Sequence, residues 1–220
     1  ADYPEGETEY RRVTHLVMKC GLKSSYHRHD DDNGLLLYAL GRDWLIDSGL
    51  FLHEAADKRR IYVRSPAAHT ISMPLGASTR REPFGEPDAF WGVRENEAEE
   101  GVLHAVTGTS RMFVNHTYDR RLDILSATAF RLHDRIVSQE PSPRVVASCF
   151  QVPADLVLVS CDDASEVVFE DGEGRRFTIR KSAGPDTIPN RGSNCNPPVS
   201  VGLSLYCCAC CFCRLFIYAT

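Results

Sequence analysis

Residues 26–33 read YHRHDDDN, and the segments LIDSG at 45–49 and AAHT at 67–70 follow shortly after. Side chains at positions i and i+2 of a β-strand point to the same face, so His27 and His29 can enter one pocket. Asp47 and His69 in the later segments can complete the set. Zinc is commonly bound by nitrogen and carboxylate donors, with a fourth position left open. The pattern therefore predicts a metal site of two histidines and one carboxylate.

The sequence around these segments predicts an all-β fold. Residues 10–182 contain short runs rich in Val, Ile, Leu, Phe and Tyr, separated by turn sequences such as DNG at 32–34 and DGEG at 171–174. Many short strands with turns at this spacing are typical of an antiparallel β-sandwich with almost no helix. The predicted strands include Leu35–Leu40, Ile61–Arg64, Met112–Tyr118 and Leu122–Leu125, whereas Pro74–Glu100 is predicted to be a long loop.

The amino-acid composition argues against a nucleic-acid partner. The net charge of -5 and pI of about 5.9 give no basic surface of the kind that nucleic-acid-binding proteins have, so we expect no nucleic-acid partner. Arginine pairs are expected to be solvated at strand ends. These pairs are Arg11-Arg12, Arg59-Arg60, Arg80-Arg81, Arg120-Arg121 and Arg175-Arg176.

The last 31 residues differ from the rest of the chain. Six of the nine cysteines lie in residues 190–220, and the composition changes abruptly after Gly184-Pro185-Asp186. The end has about the length of a membrane span, but Arg214 interrupts it, so we expect no membrane partner. Its cysteines lack the separated C-x-x-C pairs of a zinc site. We therefore predict one β-sandwich domain over residues 1–189 and a Cys-rich tail over 190–220 that is non-native or disordered.

The amino terminus shows no signal peptide. The chain begins with Ala1, and its first 25 residues have no charged start followed by an apolar core. Two expectations remain open, that a leader was removed or that the chain is a piece of a longer protein.

Three ordered motifs resemble the heparinase II/III-type polysaccharide lyases, a group that includes alginate lyases. The β-domain of that family carries H-x-H-x-D, then a strand ending in D-x-G, then an Arg-Ser step into A-H-N. The corresponding segments here are 27–31, 44–49 and 62–70, with Thr70 in place of the usual Asn. The resemblance extends over about residues 10–180 in strand order, but residues 26–73 carry its specific part.

The resemblance implies a lyase that cleaves uronic-acid polysaccharides by β-elimination, secreted or periplasmic, with an N-terminal α-helical toroid that this chain lacks. It implies a structural zinc ion (Zn2+) bound by His29, Asp47 and His69. It also implies that His27 faces the substrate. Tyr62 is the nearest candidate for a second catalytic residue, and the remaining acid or base would come from the toroid. Without it, we expect this chain alone to be inactive.

The expected chemistry suits these residue types. Removing the proton beside a uronate carboxylate requires that the carboxylate be neutralised and that a base be positioned near it. A histidine next to a metal-bound histidine can fill one of these roles. Arg28 and Arg64 are candidates for holding substrate carboxylate or sulfate groups by paired hydrogen bonds, or else for capping strand edges. The residues do not distinguish a glycosaminoglycan from alginate as the polymer.

Two alternatives belong to other functional classes. Gly21 followed by His27-x-His29 resembles the start of a cupin metal motif, but the expected Glu is absent from residues 30–33 and Thr79 stands where a later His is needed. A non-catalytic carbohydrate-binding β-sandwich with a structural metal is the second alternative. Upstream coding sequence for paired helices would favour the lyase over the binding module.

Overall fold

The computed structural model describes residues 9, 11–21, 28–51, 53–80, 91–96, 99–141, 145–162, 166–181, 202–207 and 212–219. Within these ranges the regular structure is mostly antiparallel strand with little helix, which confirms the predicted fold class. The strands are β1 (His15–Lys19), β2 (Gly34–Ala39), β3 (Arg42–Leu45), β4 (Ser72–Pro74), β5 (Trp91–Asn96), β6 (His104–Ser110), β7 (His116–Ser126), β8 (Ala129–Ser138), β9 (Val146–Gln151), β10 (Val157–Asp162), β11 (Glu166–Glu170), β12 (Arg176–Lys181), β13 (Gly202–Cys207) and β14 (Phe212–Ala219). One helix, α1 (Lys58–Val63), and a 3-10 turn (Pro66–Ala68) lie between β3 and β4.

The strands form three antiparallel sheets. One sheet has the order β1-β2-β3, and a large sheet has the order β10-β11-β12-β14-β8-β7-β6-β5. The third sheet has the order β13-β9-β4. Successive strands are mostly neighbours, as expected for hairpin connections, whereas β14 is inserted between β12 and β8.

The main core lies between the small β1–β3 sheet and the large sheet. Alternate residues of β2, Leu35 and Leu37, point inward and are 2% and 1% exposed. They belong to one cluster with Phe130, Phe169 and Phe177 of the large sheet. Because burial of a large apolar side chain contributes about 1.5–3 kcal/mol, this face-to-face contact holds the two sheets together as a sandwich.

A second, smaller core supports the region between β3 and β4. Ile71, Met112, Phe113 and Tyr118 are buried together, with Ile136 and Val146 beside them. Ile71 follows the predicted metal-site segment directly, and its carbonyl accepts a hydrogen bond from the Cys149 backbone N–H at 2.8 Å. The segment that carries His69 is therefore anchored on buried side chains and on β9.

The segment Ile61–Arg64, predicted as a strand, is mostly helical: α1 extends to Val63. Asp57 caps the helix, because its carboxylate accepts a hydrogen bond from the Arg59 backbone N–H at 2.7 Å. The buried residues are Arg60 and Val63, three positions apart, which is the spacing of one helix face. Ile61 is 59% exposed, so the apparent strand alternation of Ile61 and Val63 was misleading.

Two other predicted boundaries were wrong. The predicted loop Pro74–Glu100 contains strand β5, which pairs with β6, while residues 81–90 lie outside the described part of the chain. The two predicted strands on either side of residues 119–121 are continuous in β7 from His116 to Ser126.

The tail contributes two strands, where the sequence predicted a disordered or poorly packed segment. The β13 backbone pairs with β9, and the β14 backbone pairs with β12 and β8. The domain boundary at 189/190 and the non-native origin of the tail stay predictions. None of the described helices has the length and hydrophobicity that crossing a membrane would require.

Candidate metal centre

Three side chains from separate segments converge at one end of the small β1–β3 sheet. His29 precedes β2, Asp47 follows β3, and His69 follows the 3-10 turn. One potential ligand atom from each of the three lies within 4.8 Å of the others. Donor atoms around one tetrahedral zinc ion stand about 3.3 Å apart, given bond lengths of about 2.0–2.1 Å. The predicted trio is therefore assembled by the fold, and its role as a ligand set stays a prediction.

Asp47 and His69 are already in contact. Asp47 Oδ2 lies 2.6 Å from His69 Nδ1, and Asp47 Oδ1 accepts a hydrogen bond from the Gly49 backbone N–H at 2.8 Å. Burial alone would raise the pKa of Asp47, but the hydrogen bonds from His69 and Gly49 lower it below its usual value. Gly49 has φ +63°, a conformation that L side chains rarely adopt. The D-x-G turn thus aims a charged carboxylate at His69.

The second ring nitrogen of His69 supplies a test of whether a metal ion fits. His69 is fully buried, and its Nε2 has no hydrogen-bond partner. If Nδ1 carries the proton toward Asp47, Nε2 has a buried lone pair without a donor, which costs free energy. An ion at Nε2 would remove this cost with Asp47 orienting the ring from Nδ1, whereas an ion bound by both residues would replace the proton between Nδ1 and Asp47 Oδ2. The donor set of two imidazoles and one carboxylate also suits zinc.

His29 completes the trio from the other side. Its ring centroid lies 5.4 Å from that of His69, with the two ring planes tilted by 49°. Burial lowers the pKa of His29, and the neighbouring His69 and Arg60 act in the same direction. A lowered pKa keeps the imidazole neutral at neutral pH, which is the form that a metal ion needs.

Gln151 joins the Asp47 and His69 segments. Its carbonyl accepts a hydrogen bond from the Ile46 backbone N–H at 3.0 Å, and its own backbone N–H donates to Thr70 Oγ1 at 3.0 Å. Its side-chain Nε2 donates to the Ala67 carbonyl at 2.9 Å. One residue of β9 therefore holds the residue before Asp47 and the residue after His69.

Arg120 joins the His29 and His69 segments through hydrogen bonds to their backbone carbonyls. Its Nη1 donates to the Thr70 carbonyl at 2.7 Å and to the Asn33 carbonyl at 3.0 Å. Its Nε and Nη2 donate to the two carboxylate oxygens of Asp134 at 2.7 and 2.6 Å. Burial would lower the pKa of Arg120, but the Asp134 carboxylate outweighs it and raises that pKa. The guanidinium is fully buried, which corrects the expectation that it is solvated.

Asn33 fixes the other end of the His29 segment. It has φ 64°, and its side-chain Nδ2 donates to the carbonyls of Gly108 at 3.1 Å and Tyr118 at 3.2 Å. A Cβ atom at Gly108 would lie 2.3 Å from Asn33 Oδ1, so only glycine permits this approach. The loop before β2 is therefore locked onto the large sheet.

The two arginines predicted to bind substrate make internal contacts. Arg28 is 5% exposed, its Nη1 donates to the Arg80 carbonyl at 2.6 Å, and its Nε lies 3.5 Å from Asp30 Oδ1. Arg64 Nε donates to the Arg28 carbonyl at 3.0 Å, and the Arg64 carbonyl accepts from the Asp30 backbone N–H at 3.0 Å. These contacts hold the His29 segment in place, so they favour a structural role over the predicted substrate-binding one.

The remaining predicted residues are only partly placed. Tyr62 lies on α1 and is 43% exposed, while His27 lies outside the described residues. Burial raises the pKa of Tyr62, as does the nearby Cys149. Asp31, within the same loop as His29, forms an ion pair with Lys19 at 2.5 Å.

Sequence reasoning missed Arg60, Arg120 and Gln151. The alternation along β7 could have indicated that Arg120 is buried. Arg120 lies two residues from both Tyr118 and Leu122, so it points to the same buried face of the strand. Arg60 is 4% exposed rather than solvated, and its spacing from Val63 could have indicated a helix face. Gln151 acts mainly through its backbone, so no side-chain pattern pointed to it.

The fold has known counterparts among solved structures. A structure titled heparinase III, with methylated lysines, superposes with a TM-score of 0.68 at 11% identity, and covers 96% of this chain and 33% of that one. A mutant of the heparan sulfate lyase HepC from Pedobacter heparinus superposes with a TM-score of 0.67 at 15% identity, covering 94% and 33%. This chain thus spans about a third of the length of these relatives. No curated protein sequence gives a significant match.

The sequence itself matches a described family over most of its length. The family described as Heparinase II/III-like, C-terminal, matches residues 8–201, which include all three members of the trio. Both the family match and the fold comparison agree with the resemblance carried by the three motifs. The chain therefore belongs to the heparinase II/III-like C-terminal family.

Proposed function

We propose that this chain is the β-domain of a polysaccharide lyase that cleaves uronic-acid polysaccharides by β-elimination. Family membership supports a lyase. The single observation that supports a functional site in this domain is the convergence of His29, Asp47 and His69. The solved relatives are three times as long, which supports a parent protein with an additional N-terminal α-toroid. The substrate would lie between the two domains.

In this proposal His29, Asp47 and His69 hold one zinc ion. Bound zinc would cross-link three segments and add positive charge beside the substrate. The 2.6 Å approach of His69 Nδ1 to Asp47 Oδ2, where an ion would replace the shared proton, supports this assignment. The hydrogen bonds of Gln151 and Arg120 hold the three segments in place before the ion binds. We assign the ion a structural role rather than a direct part in the reaction.

The elimination needs a base and an acid. The base removes the proton from the carbon next to the uronate carboxylate, the bond from the adjacent carbon to the bridging oxygen breaks, and a carbon–carbon double bond forms. The released oxygen takes a proton from the acid. We assign His27 to substrate contact or proton transfer. A raised pKa keeps Tyr62 protonated at neutral pH, which suits a proton donor, and the toroid would supply the remaining group.

The titles of the solved relatives support a choice of polymers to test. The HepC structures are titled as heparan sulfate lyases, so a heparan-type glycosaminoglycan is the first polymer to test, with alginate as the second. A polymer-degrading enzyme of this kind acts where its substrate is found, which supports a secreted or periplasmic location.

The decisive experiment restores the upstream sequence and follows the ultraviolet absorbance of the unsaturated uronate across a panel of polymers. We expect activity in the full-length protein and little in this chain alone. Because general acid–base catalysis contributes about 10²–10⁴-fold, His27→Ala should lower kcat by a similar factor. His104→Ala, an exposed histidine on β6, is the matched control and should leave kcat unchanged. Release of saturated sugar ends only would show hydrolysis and would refute the proposed mechanism.

A further inference from the structure

Within the described part of the chain, a buried guanidinium on α1 has no anionic partner. Arg60 is 4% exposed, and its Nη1 is buried with no hydrogen-bond partner. Among the described residues, no carboxylate forms an ion pair with it. An unpaired charge in a protein interior is strongly disfavoured, so buried arginines normally have a counter-ion. Arg60 is therefore a buried cation to which the described residues supply no anion.

The neighbouring carboxylates are already engaged by other groups. Asp57, in the turn before α1, receives two hydrogen bonds from the Arg59 guanidinium, at 3.2 and 3.0 Å. Asp31 is paired with Lys19, and Asp47 accepts from Gly49 and contacts His69. Each of these carboxylates thus has cationic or hydrogen-bonding partners of its own. The chain does not supply Arg60 with a counter-ion from them.

Arg60 also lies on the segment that joins two members of the trio. Its helix α1 stands between β3, which Asp47 follows, and the 3-10 turn, which His69 follows. Two neutral imidazoles and one carboxylate would leave a divalent ion with a net charge of about +1. Together with Arg60, the site would then hold an excess of positive charge, which favours an anion.

We propose that Arg60 is an oxyanion-binding residue that receives a carboxylate or sulfate group beside the metal centre. A guanidinium binds either group through two parallel hydrogen bonds, and both groups share this planar recognition. Only the identification of the anion as a substrate group rests on the proposed lyase function. The binding of an oxyanion by Arg60 does not depend on it.

The helix that carries Arg60 can admit such a group. Only Arg60 and Val63 of its six residues are buried, whereas Ile61 and Tyr62 are 59% and 43% exposed. Val63 is the only buried apolar side chain of these six residues, and segments with few buried apolar contacts open locally at a low free-energy cost. Arg60 is placed at the inner face of this helix, and a small outward shift of the helix would open the guanidinium to a ligand.

The test is thermal unfolding of the full 220-residue chain in zinc-containing buffer, titrated with sodium glucuronate, sodium sulfate, glucose or sodium chloride at matched ionic strength. We expect glucuronate, sulfate or both to raise Tm, and glucose and chloride not to. In Arg60→Met the anion should bind about 10- to 100-fold more weakly, the loss expected when hydrogen bonds to a charged group are removed. Arg59→Met removes the same charge from a side chain that is 70% exposed and should bind the anion normally.

In the absence of added carboxylate or sulfate, we expect Arg60→Met to be more stable than the wild type. Replacing a buried unpaired charge by an apolar side chain of similar length removes its desolvation cost. Arg60→Met should therefore raise Tm by roughly 2–4 °C in anion-free buffer. A lower Tm for Arg60→Met with an unchanged Tm for Arg59→Met would show that Arg60 is a structural partner and would overturn the proposal.

Two further outcomes separate the possibilities. Equal anion binding by Arg60→Met and the wild type, lost in His69→Ala, would mean that the metal alone holds the anion, and the proposal would be wrong. No Tm shift with either anion would also overturn it. Lyase activity of the full-length protein is measured separately, so either proposal can fail while the other stands.

Discussion

Asp47 Oδ2 lies 2.6 Å from His69 Nδ1, although 22 residues separate the two along the chain. The contact joins the end of β3 to the end of the 3-10 turn, and His29 lies on its other side. Because Gln151 and Arg120 hold the flanking backbone, this geometry is built into the fold and does not depend on the contact itself.

Zinc should stabilise the chain through His69. We expect the purified protein to bind about one equivalent of zinc and His69→Ala to bind much less, because the variant lacks one of three ligands. Zinc should raise Tm of the wild type and leave that of His69→Ala nearly unchanged, since binding to the folded state alone contributes free energy of folding. Metal analysis and calorimetry measure both effects, with His104→Ala as the control. A wild type that binds no zinc would contradict this prediction.

Loss of the buried Arg120 should be costly. Arg120→Met leaves the Asp134 carboxylate buried without its partner and removes the donors to the Asn33 and Thr70 carbonyls. We expect the free energy of unfolding to fall by about 3–5 kcal/mol, measured by urea denaturation. Arg135→Met on β8 removes a 55% exposed arginine from the same sheet and should cost no more than about 1 kcal/mol. Similar losses in the two variants would show that the buried network does not matter.

The Asp47 turn should depend on glycine. Gly49→Ala adds a Cβ atom that would meet no other atom within 4 Å, so the strain comes from φ +63° alone. We expect a loss of about 1 kcal/mol in the free energy of unfolding, together with weaker zinc binding because Asp47 loses its fixed orientation. Gly172→Ala, where a Cβ atom also meets nothing and φ is not left-handed, is the matched control. An unchanged zinc affinity for Gly49→Ala would argue against the role of the turn.

The turn between β11 and β12 should make stability depend on acid pH. Burial would raise the pKa of Asp171, but hydrogen bonds from the Arg175 side chain and backbone, the Glu173 backbone and Arg42 hold it well below its usual value. A carboxyl group with a lowered folded-state pKa contributes stability above its unfolded pKa, which is about 3.9, and loses it as pH falls toward the folded value. Asp171→Asn should therefore be less stable than wild type at pH 7, and the difference should shrink below about pH 4. Urea denaturation across pH measures this, and a pH-independent difference would refute it.

The sequence allowed strand β2 and the segments that carry the trio to be predicted for the same physical reason. In β2 the alternation of Leu35 and Leu37 is local, and the motifs that carry His29, Asp47 and His69 are each only a few residues long. Local patterns of this kind can be recognised in the sequence without knowledge of the tertiary contacts.

The supports of the site could not be predicted in the same way. Arg120 donates to the Thr70 carbonyl 50 residues away, and the Gln151 side chain donates to the Ala67 carbonyl 84 residues away. Bonds to backbone carbonyls leave no mark on residue type. The strand prediction for Ile61–Arg64 failed because two apolar residues two apart fit a strand, whereas the Asp57 cap and tertiary contacts select a helix. The insertion of β14 between β12 and β8 is likewise a long-range pairing.

The central claim is that His29, Asp47 and His69 bind one metal ion. Crystals of the chain grown with zinc and measured at the zinc absorption edge test it most directly. We predict one strong anomalous peak within about 2.0–2.2 Å of a donor atom from each of the three residues, with the fourth position open to water or another ligand. The peak should disappear in crystals of His69→Ala. A zinc-soaked crystal with no peak at the trio, or with its only peak elsewhere, would contradict the claim.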